Sequence, residues 1–315
     1  MKSYHTDLIR VTEAGAITAS EWVGRGNKEL ADKAATDAMR DRLNSIDFRA
    51  KIAIGEGEKD ESYGLFCGEE VGTSRDPNDY CFDIAIDPIE GTTPTVKGGY
   101  EAISVIAMGE QNCLYQSDYF YMDKLAYGPK VKKWIDQRNV KGLISLNSGV
   151  RQNILALATA MEKSDQHITV CVIDRPRTVP LVEKLRKLGC RIKFISDCDV
   201  TACIATCVPD SGIDLYWSIG GSPEAVLAAA AMKCMGGYLE CREVEKKSET
   251  EFEPVGDLLK ISDLAKGNVM FAATGITDGK LLKGVRWTDR GPETNSVAMR
   301  SESGTVRWLN TEHGN

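Results

Sequence analysis

From about residue 167 the chain alternates apolar runs of strand length with helical segments, and this alternation constrains its fold more than any other feature. ITVCVI (168–173) leads into VEKLRKL (182–188), IKFI (192–195) into TACIATC (201–207), and IDLYWSI (213–219) into PEAVLAAAAMKC (223–234). Such a pattern predicts strands joined by right-handed crossovers, with ligands gathered at their carboxyl ends. Those ends read DRPR (174–177), SDCD (196–199) and GGSPE (220–224), which are polar and charged where packing alone requires neither.

The first half follows a different rule. Residues 7–44 read as helical with a break near Gly24, Arg25 and Gly26, and strands follow near 51–54, 82–87 and 102–108. This half is expected to be an α+β layer, with the chain dividing into 1–135 and an α/β half, 136–315. NVMFAAT (268–274) reads as a further strand. The charge-rich REVEKKSETEFE (242–253) reads as a solvated connection without a function.

Two strands run out into acid. IAIGEGEKDE (52–61) ends in Glu56, Glu58, Asp60 and Glu61, with Gly55 and Gly57 relaxing the backbone. FDIAIDPIEGTTP (82–94) ends in Asp87 and Glu90, and Pro88, which cannot donate to the ladder, is expected to stop the strand. Taken singly, these are a solvated acidic turn and a capped Asp-Pro turn. Asp32 lies one helical turn after Lys28 and interrupts an alanine-rich face, and the pair alone would pass for an exposed i,i+4 salt bridge. Together the carboxylates point to hard divalent cations, which take oxygen ligands and offset the acids' mutual repulsion.

Bulk properties exclude several functions. With 315 residues the chain suits one large or two fused domains, and a formal charge of −7 argues against a nucleic-acid or anionic-membrane surface. An anionic substrate must then be held by a local cationic pocket or by metal. No charged-then-apolar leader and no run long enough to span a bilayer is seen, so a cytoplasmic protein is expected. The ten cysteines form no Cys-x-x-Cys pair and are expected to be reduced and mostly buried. His5, His167 and His313 are too poorly placed for a Ser-His-Asp hydrolase or a histidine-rich zinc site.

GEGEKDE (55–61), DIAIDPIEGT (83–92), RPR (175–177), DCD (197–199) and GGSPE (220–224) occur in an order and spacing that resemble the class II fructose-1,6-bisphosphatases, from about residue 8 to the last strand. DPIEGT alone also resembles the wider lithium-sensitive, metal-dependent phosphatase superfamily. The resemblance implies a layered αβαβα sugar-phosphatase sandwich and a cytoplasmic, homo-oligomeric enzyme of carbohydrate metabolism, acting in gluconeogenesis with Mn2+ or Mg2+. It places Asp32, Glu56, Asp87, Glu90 and Glu224 at metal-ligand positions. Glu90, Gly91, Thr92, Tyr121, Arg175, Pro176, Arg177, Asp197, Cys198, Asp199 and Gly221 fall at substrate positions. Lys28 is implied near the phosphate, and Asp60 is implied to pair with Thr92 in drawing a proton from the attacking water.

The residues allow other roles at some of these positions. Glu224, with Ser222 as N-cap and Pro223 as first helical residue, also suits a helix dipole; Tyr121 suits a core; Arg175 and Arg177 suit a solvated surface. Departures from the family pattern are Thr93 in place of arginine, Asn27 in place of aspartate, Arg175 in place of lysine and Ala225 in place of glycine. The expected activity is release of the 1-phosphate of fructose 1,6-bisphosphate. Alternatives are sedoheptulose 1,7-bisphosphate, another sugar phosphate or an inositol phosphate, and, from another class, a catalytically silent sugar-phosphate-binding regulator.

Overall fold

A computed structural model describes residues 4–57, 63–76 and 78–314. Its contacts group the chain into one unit running to Gln116 and resuming at Ala265, and a second comprising Ser117–Leu264. The single cut expected at 135/136 differs from this grouping, because the strands beyond 265 pair with those of the first unit.

The first unit opens with α1 (His5–Ser20) and α2 (Lys28–Leu43), then β1 (Arg49–Ile54), β2 (Glu70–Val71), β3 (Cys81–Glu90), α3 (Thr92–Lys97) and β4 (Ile103–Glu110). Gly24 and Gly26, both at positive φ, make the turn between the first two helices where the sequence showed a break. Asn27 caps α2, its side chain accepting from the Leu30 N–H at 3.0 Å, so asparagine here meets the same need as aspartate. Leu8, Ile9 and Val11 of α1 and Met39 and Leu43 of α2 bury against Ile52, Ile84 and Ile106 of the sheet. Burial of each such side chain contributes about 1.5–3 kcal/mol.

The second unit contains β5 (Tyr121–Tyr127), α4 (Pro129–Arg138), α5 (Val150–Met161), β6 (Thr169–Ile173), α6 (Val179–Lys187), β7 (Arg191–Ile195) and α7 (Asp199–Ala205). It continues with β8 (Leu215–Gly221), α8 (Ser222–Met235), β9 (Tyr238–Lys246), β10 (Phe252–Lys260) and α9 (Ile261–Leu264). Its sheet runs β10-β9-β5-β8-β6-β7. The expected parallel crossovers appear at β6, β7 and β8, whereas β5, β9 and β10 join antiparallel. Leu125 packs with α4, α5 and α6, and its neighbour Lys124 turns to α7, so helices cover both faces. The chain then returns to the first unit with β11 (Val269–Gly275), β12 (Arg286–Thr288), β13 (Gly291–Arg300) and β14 (Thr305–Glu312). The first sheet is ordered β12-β13-β11-β4-β3-β1-β2, with β14 beside β13.

Two expectations are corrected. Pro88 does not end its strand: β3 continues to Glu90, and the ladder to β4 shifts register between Asp87 and Glu90, so the proline is carried in a bulge. Segment 242–253 is not a simple connection but the facing ends of the β9–β10 hairpin. Its charge lies on the exposed far end of β9, on the turn, and on the start of β10, which is the edge strand of the sheet. The cysteines form no disulfide, and all but Cys67 are buried. Among the described residues no helix is long and apolar enough to cross a membrane.

Candidate active site

In the first unit the bulge in β3 leaves Asp87 half-buried and Glu90 2 % exposed at a strand end. Asp87 turns back on its own strand, its Oδ1 accepting from the Ile89 N–H at 3.0 Å. Gly91 then adopts φ 99°, ψ 45°, a left-handed geometry suited to glycine, and directs the chain into α3. Glu56 leaves β1 in the same manner. A side chain at Gly55 would meet the Leu65 carbonyl oxygen at 1.9 Å, so glycine is what lets the Glu56 N–H reach that carbonyl at 3.0 Å.

The first residues of α3 meet the start of α2. Thr92 Oγ1 lies 3.0 Å from Asp32 Oδ1 and 3.2 Å from the Ile89 carbonyl, and its single proton serves one acceptor at a time. Lys28 Nζ donates to Thr93 Oγ1 at 2.7 Å, so the i,i+4 salt bridge with Asp32 gives way to a contact with the residue that replaces arginine. Burial raises the Asp32 pKa above the usual carboxylate value, while the Thr92 hydrogen bond and the Lys28 charge pull it back. Asp60, together with Glu58 and Glu61, lies outside the described residues.

The second unit gathers residues from three strand ends. Arg177 Nε donates to the Ile219 carbonyl at 2.7 Å, and its guanidinium carbon sits 5.1 Å from the centre of the Tyr121 ring. Tyr121 is paired in register with Gly221 and packs edge-on to Phe252. Arg175 Nη1 donates to the Asp174 carbonyl at 3.0 Å, and Pro176, exposed, opens a short 3-10 turn. Asp197 is half-buried. Cys198 holds φ 76° at the start of α7 and is 2 % exposed, so its thiol faces the interior.

Asp199 is 4 % exposed and ion-paired with Lys124, which is itself 0 % exposed and also donates to the Gly221 carbonyl at 2.7 Å. Helix α8 begins one residue earlier than the spacing suggested: Gly221 is the N-cap, and the Ser222 N–H donates to the Phe120 carbonyl at 2.9 Å. Glu224 remains in the first turn. Burial raises its pKa, and the Lys124 charge lowers it.

Lys124 was not singled out by the sequence, although YFYMDK (119–124) contained it. The available signal was period two: Met122, Lys124 and Ala126 share one strand face, and all three are 0 % exposed. A lysine in a core register is expected only with a partner.

A divalent cation fits these residues by donor chemistry. Asp32, Glu56, Asp87, Glu90 and Glu224 offer only carboxylate oxygen, and Glu224 Oε2 is buried with no hydrogen-bond partner. Among the described residues no three acidic, histidine or cysteine side chains converge closely enough to form a ready-made cage.

Comparison with known proteins identifies the relatives. The family model described as bacterial fructose-1,6-bisphosphatase, glpX-encoded, matches residues 2–313. The fructose-1,6-bisphosphatase class 2 of Haemophilus influenzae is 39 % identical, over 98 % of this chain and 95 % of its own length. Proteins of Microcystis aeruginosa and Crocosphaera subtropica named D-fructose 1,6-bisphosphatase class 2/sedoheptulose 1,7-bisphosphatase are each 36 % identical over the same shares. With strand-end motifs and a family match that spans nearly the whole sequence, the chain belongs to the glpX-encoded, class 2 fructose-1,6-bisphosphatase family.

Proposed function

We propose that the chain is a phosphoric monoester hydrolase that releases the 1-phosphate of fructose 1,6-bisphosphate, leaving fructose 6-phosphate. The observation that carries this reading is the contact of Thr92 with Asp32 at a strand end whose acids are oxygen donors throughout. Mn2+ or Mg2+, when bound, would neutralise phosphoryl oxygens and make water nucleophilic at neutral pH. The proposed holders are Asp32, Glu56, Asp87, Glu90 and Glu224.

When the Thr92 hydroxyl donates to Asp32, its lone pairs are left to accept from the attacking water and orient it. Asp60 keeps its proposed part in drawing off that proton. Lys28 and the Gly91 backbone are proposed to meet the phosphoryl oxygens. For the retained phosphate we propose Arg177, whose Nε is bound to the fold and whose two Nη groups present the charge, with Tyr121 as its floor and Arg175 beside it in sequence. Asp197, Asp199, and the backbone at Pro176, Cys198 and Gly221 would receive the sugar. We further propose a cytoplasmic homo-oligomer serving gluconeogenesis; exposed Trp287 and Trp308, on strands at the rim of the first sheet, support self-association.

A second reading, that sedoheptulose 1,7-bisphosphate is also a substrate, is supported by the double name of two relatives. Phosphate release from fructose 1,6-bisphosphate, sedoheptulose 1,7-bisphosphate, sugar monophosphates and inositol phosphate, each with Mg2+ and with Mn2+, tests both. The bisphosphates should lead the panel. Preference for a monophosphate would overturn the assignment, and binding without turnover would make the chain a regulator.

A further inference from the structure

Lys124 occupies a strand face that otherwise carries Met122 and Ala126, all 0 % exposed. A lone ammonium in such a place is costly, and this one is compensated by Asp199 and by the Gly221 carbonyl at 2.7 Å. The strand end beside it is built to admit two acids. A Cβ at Gly220 would lie 1.9 Å from Asp199 Oδ2 and 3.0 Å from Lys124 Nζ, and a Cβ at Gly221 would lie 2.0 Å from Glu224 Oε2. The two carboxylates therefore rest on the bare backbone of adjacent glycines, and Lys124 grips the second glycine's carbonyl.

We propose that Lys124 is a positioning residue: by holding Asp199 and Gly221 it fixes the strand end on which Glu224 rests, and with it the place from which Glu224 meets a divalent cation. The proposal rests on the reading of Glu224 as a metal ligand. Lys124 need not touch substrate or metal to act, since partners behind a ligand typically change metal affinity by roughly 10- to 100-fold.

The test is titration of the full chain with manganese(II), without substrate, with free metal followed by electron paramagnetic resonance. Lys124→Met alone leaves Asp199 buried and uncompensated and should lower the melting temperature. Lys124→Met/Asp199→Asn removes both charges of the pair; it should recover most of that loss and yet bind manganese roughly 10- to 100-fold more weakly. Wild-type manganese affinity in the double variant, with weakened affinity in Glu224→Gln, would overturn the role of Lys124 while leaving the ligand reading intact. Wild-type affinity in Glu224→Gln would overturn the ligand reading, and the proposal with it.

Discussion

In the first unit the acid near the start of α2, Asp32, is met by a neutral hydroxyl, while the exposed Lys28 bonds to Thr93. In the second unit Asp199 is met by the ammonium of Lys124, sealed from solvent on an interior strand face. An acid compensated by a buried internal cation is fixed in place, because separating the pair strands a charge. An acid met by a hydroxyl keeps its charge available to a cation from outside. The contrast supports the proposal that the acids of the first unit serve the reacting phosphate and that the buried pair of the second holds and orients.

The largest effect expected from breaking this contrast is in the first unit. Asp87→Asn or Glu90→Gln should lower metal-dependent turnover by more than about 100-fold, with circular dichroism unchanged, because the amide keeps the shape and loses the charge. Near-wild-type turnover at limiting metal would exclude the residue as a ligand. Thr92→Val comes next, lowering kcat by roughly 10²-fold with substrate affinity largely kept, and Thr92→Ser should retain more activity. If the valine variant turns over normally, water is oriented without Thr92.

In the second unit Arg177→Ala should raise KM for a bisphosphate by roughly 10- to 100-fold, the effect of losing a charge-assisted pair, and leave a small monophosphate nearly unaffected. Equal losses on both substrates would remove Arg177 from the retained phosphate.

The smallest effect is on stability. Burial pushes the Asp123 pKa from 3.8 up to about 7, against a hydrogen bond from Trp217. A carboxyl raised on folding adds stability below its unfolded pKa, and that stability is lost as pH rises toward about 7. Melting temperatures between pH 4 and 8 should therefore fall more steeply in the wild type than in Asp123→Asn. Parallel curves would show that Asp123 ionises as freely folded as unfolded.

The sequence disclosed most where one period and one polarity coincide. The segments GEGE, DPIEG, DRPR and SDCD were visible because charge following an apolar run is a strong local contrast, although β3 carries its own charge on to the buried Glu90. The β10 arm of the hairpin was not visible, since this edge strand has no buried face to show. The return of β11 to the first unit was equally hidden: NVMFAAT reads as a strand, but nothing in it names its neighbour β4. Lys124 was overlooked because lysine is ordinarily a surface residue. Asp199, placed by resemblance at the substrate, also has a partner inside the protein that spacing alone does not reveal.

The central claim is that this chain removes one phosphate from a sugar bisphosphate with the help of a divalent cation. The direct measurement is phosphate release from fructose 1,6-bisphosphate by metal-stripped protein as manganese is added back. The account predicts no release before addition, a saturable rise with metal, and one phosphate per sugar with fructose 6-phosphate left behind. Release that ignores added metal, or removal of both phosphates at equal rates, would contradict it.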